Sequence, residues 1–143
     1  MVPDSLALLA AVYKSRGQAE EGLQVVVEAL ARVDKTGGRE WEAELHRLKG
    51  TLTLQSYVQS PKSKGEEETE TCFLKAIAIA RRQRAKSLEL RAVMSLSRLW
   101  QQQGKQHEAH KMLSEIYNWF TEGFDTKDLQ EAQALLDELE AGH

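Results

Sequence analysis

The sequence predicts an all-α protein built from antiparallel helix hairpins, about seven helices in all. Three observations carry this. Nearly every segment is made of Ala, Leu, Glu, Gln, Lys and Arg, the better helix formers. Only two prolines, Pro3 and Pro61, interrupt the chain, so long stretches are free of the strongest helix breaker. Apolar residues recur at i, i+3, i+4 and i+7 between short breaks, which is the spacing of one helical face. No segment reads as a strand.

The first helix is expected over about Asp4–Arg16, with Leu6, Leu9, Ala10 and Tyr13 on its apolar face and Gly17 as its stop. The second covers about Ala19–Lys35 through Leu23, Val26, Val27, Leu30 and Val33, and ends at Gly37-Gly38. A third starts near Arg39 and carries Trp41, Leu45, Leu48 and Leu52. Periodicity is then lost in a stretch rich in Ser, Pro, Gly and charge, which predicts a solvated loop over 59–65. The fourth helix, about Glu66–Arg82, has glutamates in its first turn and Arg81-Arg82 in its last, both favourable to the helix dipole. Ser87 is the expected cap of a fifth helix that runs to Gln103 through Leu90, Val93, Leu96, Leu99 and Trp100. Gly104 stops it. The sixth, about Gln106–Thr121, carries Ala109, Leu113, Ile116, Tyr117 and Phe120, and Gly123 ends it. Asp125 or Thr126 caps a seventh through Leu129, Ala132, Leu135, Leu136 and Leu139. The hairpins are thus about 4–35, 39–83 and 86–121, with a terminal helix at about 126–140.

The 143 residues suit one domain or an array of small repeats, long enough to bury roughly two-thirds of the unfolded chain's surface. A net charge of −3 gives no electrostatic case for nucleic acid or an anionic membrane. A lone cysteine, Cys72, excludes an intrachain disulfide framework. No apolar run approaches the roughly 18 residues of a membrane span. The N-terminal apolar segment follows an acidic residue with no basic leader, so a cytoplasmic location is expected.

Leu8–Leu30 aligns without a gap on Ser95–Tyr117. Tyr13 falls on Trp100, Gly17 on Gly104, Gly22 on Ala109, Val26 on Leu113 and Ala29 on Ile116. An aromatic, a turn glycine and a small residue at these offsets suit two helices that reverse and pack closely. The pattern resembles the tetratricopeptide repeat. The middle pair, Trp41–Arg82, fits more loosely through Gly50 and Phe73-x2-Ala76-Ile77, and one register of its first helix buries Lys49. The segments EWEAELHRLKGTLTL, CFLKAIAIARRQRAKSLELRAVMSLSRLWQQQGK and WFTEGFDTKDLQEAQALLDEL also resemble the C-terminal repeat region of bacterial signalling proteins that join a nucleotide cyclase to a P-loop ATPase. Related ATPase-type transcriptional regulators carry similar tails. The resemblance implies a right-handed tetratricopeptide-like stack closed by a capping helix. It implies no catalytic residues here, because Gly104-Lys105-Gln106 lacks the glycine spacing and hydroxyl of a phosphate loop.

Candidate chemistry is sparse. His107 and His110 lie three apart, not the four of a zincin helix, and the alignment places them at the start of a hairpin's second helix. His46, among Glu42, Glu44 and Arg47, has no nucleophile beside it in sequence. Cys72 reads as a small core residue. Arg81, Arg82, Arg84 and Lys86 form a short basic cluster without sequence-adjacent aromatics for base stacking. The first helices of the hairpins would line a concave groove, presenting Ala7, Ala11 and Lys14, then Arg47, then Arg91, Met94, Arg98 and Gln101. Such a groove suits an acidic, partly apolar peptide. Trp119, Phe120 and Phe124 offer a patch for self-association. The expectation is a non-catalytic protein–protein interaction module with a protein or peptide partner and no cofactor, metal, membrane or nucleic acid. The alternatives are a histidine-based metal or hydrolytic site, and nucleic-acid binding by 81–86.

Overall fold

The computed structural model describes residues 10–13, 16, 18–36, 39–56 and 62–141. Six α-helices lie among them: α1 (Ala19–Thr36), α2 (Glu42–Ser56), α3 (Lys62–Arg82), α4 (Lys86–Gln102), α5 (Gln106–Tyr117) and α6 (Lys127–Ala141). A 3-10 turn, Arg39–Trp41, leads into α2, and residues 10–13 are also helical. The described residues contain no strand, and none of their helices is long and apolar enough to cross a membrane. Residues 4–9, Lys14, Gly17 and the 57–61 part of the middle connection lie outside the described residues.

Three local expectations change, and one open choice closes. Helix α3 starts at Lys62, so residues 62–65 form its first turn and Gly65 is buried. Polar composition suggested a loop there, but Lys and Glu propagate a helix well, and one glycine costs only about 1 kcal/mol. Helix α4 begins after Ala85 with no side-chain cap, so Ser87 is a first-turn residue. Helix α5 ends at Tyr117, where the N–H groups of Trp119 and Phe120 turn back to Ile116 O (3.2 Å) and Tyr117 O (3.1 Å). At the start of α6 it is Thr126 that caps, its Oγ1 accepting from the Leu129 N–H at 3.4 Å.

Two turns share one construction. The Lys105 N–H donates to Trp100 O at 2.8 Å around Gly104, whose φ is +80°. The Ala85 N–H donates to Ala80 O at 2.9 Å, and the Arg84 N–H to Arg81 O at 3.1 Å. Both are left-handed helix ends that satisfy free carbonyls. At the second the left-handed residue is Arg84, at φ 57°. An L side chain is disfavoured in that conformation. Arg84→Gly is therefore expected to raise stability by about 0.5–1 kcal/mol, measured by denaturant midpoint.

Each helix packs on its neighbours in the chain, and α2 also packs on α4, and α4 on α6. Among the described residues no Cα of α1, α3 or α5 comes within 8 Å of a Cα of another of the three. The helices thus form two rows, a contacting row α2–α4–α6 and an outer row α1, α3, α5. A large core joins α3 through α6 around Phe73, Leu96, Leu99, Leu113 and Leu139, and a second joins α1 to α2 around Val26, Leu45 and Leu52.

The aligned segments share one turn hydrogen bond and one close-packed small position. The Gln18 N–H donates to Tyr13 O at 2.9 Å, matching Lys105 to Trp100. At Gly22 a Cβ would stand 2.9 Å from Leu52 Cδ2 and 3.3 Å from Tyr13 Cβ, so a small residue is required there; its counterpart Ala109 is fully buried. The middle pair reverses the roles. Gly50 on the first helix receives the ring of Phe73 from the second, with Cε1 only 2.6 Å from where a Cβ would be. Trp100 does more than fill space between α4 and α5: its Nε1–H reaches back to Glu70 Oε1 of α3 at 2.6 Å.

Candidate binding groove

Across the α2–α4–α6 row runs a cleft of about 470 Å³ lined by Arg47, Arg91, Met94, Ser95, Arg98, Lys127, Asp128 and Glu131. A second hollow of about 260 Å³ adjoins it, sharing Arg47, Ser95 and Arg98 and adding Thr51, Leu54, Phe73, Leu99 and Gln102. Both arise from helix periodicity. Arg91, Ser95, Arg98 and Gln102 recur three or four apart on α4, and Arg47, Thr51 and Leu54 do so on α2, so each set lies along one face.

The charges are linked in a chain across the row. Arg47 grips Glu44 Oε1 through both Nε (2.7 Å) and Nη2, and its Nη1 donates to Ser95 Oγ at 3.5 Å. Arg91 donates from Nε to Asp128 Oδ2 at 2.8 Å, and its Nη1 lies 3.7 Å from Glu44 Oε2. Its bond to Asp128, with the nearby Glu44, pushes the Arg91 guanidinium above its ordinary pKa. Glu44 is thus a buried carboxylate, 8% exposed, shared by an arginine from each of two helices. Arg98 differs. It is exposed and, among the described residues, makes no side-chain hydrogen bond or ion pair.

Sequence reasoning had singled out Lys14, Arg47, Arg91, Met94, Arg98 and Gln101. Arg47, Arg91, Met94 and Arg98 come together at the larger cleft. Met94 is only 2% exposed, so it belongs to the core and offers a ligand little surface. Gln101 stands apart and reaches Glu138 Oε2 at 3.5 Å. Ala11 is half-buried, while Ala7 and Lys14 lie outside the described residues. Glu44 and Asp128 were missed as partners of Arg91, because no local pattern joins residues so far apart in sequence; Glu44 with Arg47 is an i, i+3 pair on one helix.

The remaining candidates are held by neighbours. Arg81 Nε and Lys86 Nζ bind the two oxygens of the buried Glu89, at 3.0 and 3.3 Å. The absence of aromatics beside this cluster holds only along the chain: Lys86 Nζ lies 5.4 Å from the centre of the Trp119 ring. His110 Nε2 is 3.7 Å from Glu140 Oε1, and His107 is exposed. No group of three His, Cys, Asp or Glu side chains among the described residues is arranged to hold a metal. Cys72 is half-buried against Gly50, and burial raises its thiol pKa. It also lines a hollow of about 580 Å³ with Lys49, Thr53, Glu67, Glu68, Glu70 and Thr71.

His46 is buried between α2 and α3. Burial first, then Lys75 and Lys49, lower its pKa from 6.5 to about 4. The imidazole is therefore neutral at pH 7. Below pH 6.5 the unfolded chain takes up a proton that the folded protein refuses until about pH 4, so stability falls across that window as pH drops. After allowance for solvent screening the loss is about 2 kcal/mol. Denaturation of wild type and His46→Gln at pH 7 and pH 4 checks this, because the variant lacks that part of the slope.

No protein-family model matches the chain, and no curated protein matches it at a significant level.

Proposed function

We propose that the chain is a non-catalytic interaction module, tetratricopeptide-like in build, that holds a segment of a protein partner along its α2–α4–α6 row. The observation that carries this reading is a continuous groove over three helices in which Arg98 has no intramolecular partner among the described residues. Leu54 gives one end a small apolar surface above the buried Phe73 and Leu99, and Ser95 and Gln102 add hydrogen-bonding groups. Arg47 and Arg91 serve mainly to brace the row, so the groove is less basic than three arginines imply. An extended segment with one carboxylate at Arg98 beside an apolar side chain is the ligand that best matches it. Because the row is braced beforehand, binding requires little rearrangement.

In this reading the module is the C-terminal repeat region of a larger bacterial signalling protein, with the third hairpin closed by α6 as a cap. Repeat stacks need such a polar-faced end. An in-frame ATPase or cyclase domain in the flanking coding sequence would support that context; an unrelated neighbour would count against it.

The groove is tested by selecting peptides from a random display library on the intact chain. Arg98→Glu is expected to weaken groove-binding peptides at least tenfold, since a charge-assisted hydrogen bond contributes about 1.5–3 kcal/mol. Arg98 lies on the surface, so the variant is expected to keep the wild-type melting midpoint. Binding indifferent to Arg98 in every selected peptide would reject the groove.

A further inference from the structure

Two bonds fix how α4 and α6 lie beside the groove. Arg91 reaches Asp128 at 2.8 Å, and Gln101 Nε2 donates to Glu138 Oε2 at 3.5 Å. The spacing between the two bonded positions is the same on both helices, so α4 and α6 run parallel and in register. In that register Glu131 stands level with Met94, about one helical turn from Arg98. One turn along the axis and one helix spacing across put the Cα atoms of Arg98 and Glu131 about 11 Å apart.

The two flanks of the cleft differ in sign. On α6 the side chain of Lys127 is 86% exposed, against 28% for Asp128 and 43% for Glu131, so the lysine stands out in solvent while both carboxylates lie along the wall. Asp128 is taken by Arg91. Glu131 has, among the described residues, only Lys127, in an exposed pair at 3.8 Å that a ligand cation can replace at little loss. On α4 Arg98 has no partner among the described residues. Glu131 and Arg98 thus line one cleft, opposite in charge and not bonded to each other. The cleft's other cations already face Glu44, Asp128 and Glu131, and the surplus positive charge falls on Arg98 alone. A strongly anionic ligand therefore has one cation to meet and two carboxylates to pass.

We propose, resting on the groove reading above, that the partner segment carries both charges: an apolar residue over Leu54, a carboxylate at Arg98 and a Lys or Arg side chain at Glu131, in that order along the groove. At about 3.3 Å per extended residue, the acid and the base stand roughly two to four residues apart. Complementary charge of this kind sets register and excludes wrong partners. Shape selects a segment over a second copy of the chain. The cleft and the hollow beside it, about 470 and 260 Å³, are both concave, and a two-fold axis through this face would set hollow against hollow and fill neither.

The peptides selected on the intact chain that need Arg98 supply the test. They are expected to carry Asp or Glu with a basic residue two to four positions away, on the side opposite the apolar residue. Glu131→Gln should weaken them at least threefold. Replacing the peptide's basic residue by Ala should cost the same and abolish its sensitivity to Glu131→Gln. Lys127→Ala should leave binding unchanged or tighten it, because it releases Glu131. An all-acidic or phosphorylated partner would reverse both signs, Lys127→Ala weakening it and Glu131→Gln tightening it. That reversal, or indifference to Glu131→Gln, overturns the proposal and leaves the groove in place. Peptides that all ignore Arg98 reject the groove and this pattern with it. A wild-type chain that self-associates in sedimentation and becomes monomeric with Arg98→Glu gives the groove to a second copy, which also overturns the proposal.

Discussion

Leu96→Ala is expected to lower stability by about 3–5 kcal/mol, the range for emptying a fully buried leucine site that cannot collapse. Leu96 is 0% exposed, and α4, which carries it, packs on α2, α3, α5 and α6. A cavity there is bordered by the large core on several sides, so no single helix can move in to fill it. Domains of this kind hold only about 5–15 kcal/mol in total. The loss should appear as a lower denaturant midpoint with unchanged slope. The exposed Val27, at 54%, is the control, and Val27→Ala should shift the midpoint little. A loss below about 1 kcal/mol at Leu96 would mean that α4 is not the shared centre of the fold.

Glu44→Ala is the second large effect. Removing the carboxylate leaves Arg47 and Arg91 facing each other across the α2–α4 joint without the charge they share. Breaking a well-buried pair costs about 3–5 kcal/mol. Arg91 is 47% exposed and keeps Asp128, so solvent screening reduces the expected loss to about 2–3 kcal/mol. Glu44→Gln, which keeps hydrogen-bonding capacity, should lose less. The variant should also widen hydrogen exchange at the α2–α4 contact before global unfolding.

The apolar stripes were legible because burial follows period: Leu45, Leu48, Leu52, Leu90, Val93, Leu96, Leu99, Leu113 and Leu139 are all in the core. The period failed where a helix is enclosed on more than one side. On α4, Glu89, Ala92, Met94 and Ser97 are buried as well as the stripe, since four helices surround it. An amphipathic reading assumes one wet face and therefore assigned Met94 to the groove. Trp41 and Val27 erred the other way, Val27 being exposed although it was placed on its helix's stripe. The 3-10 turn at 39–41 has about three residues per turn, which rotates the ring off the α2 stripe, and Trp41 is 36% exposed. Arg47, Arg91 and Arg98 were grouped on one surface by the repeat resemblance, which sets the first helices of the hairpins side by side, but their unequal roles were not legible. Arg91 meets Glu44 and Asp128 only through tertiary packing, whereas the Glu44–Arg47 pair lies within one helix.

The most direct measurement is amide chemical-shift mapping of the intact chain with the tightest peptides from the library selection. The account expects perturbations to gather along the contacting row, at Thr51, Ser95, Arg98, Gln102, Lys127 and Glu131, for the peptides that need Arg98. Shifts confined to α1, α3 and α5, with that row silent for every peptide, would contradict it.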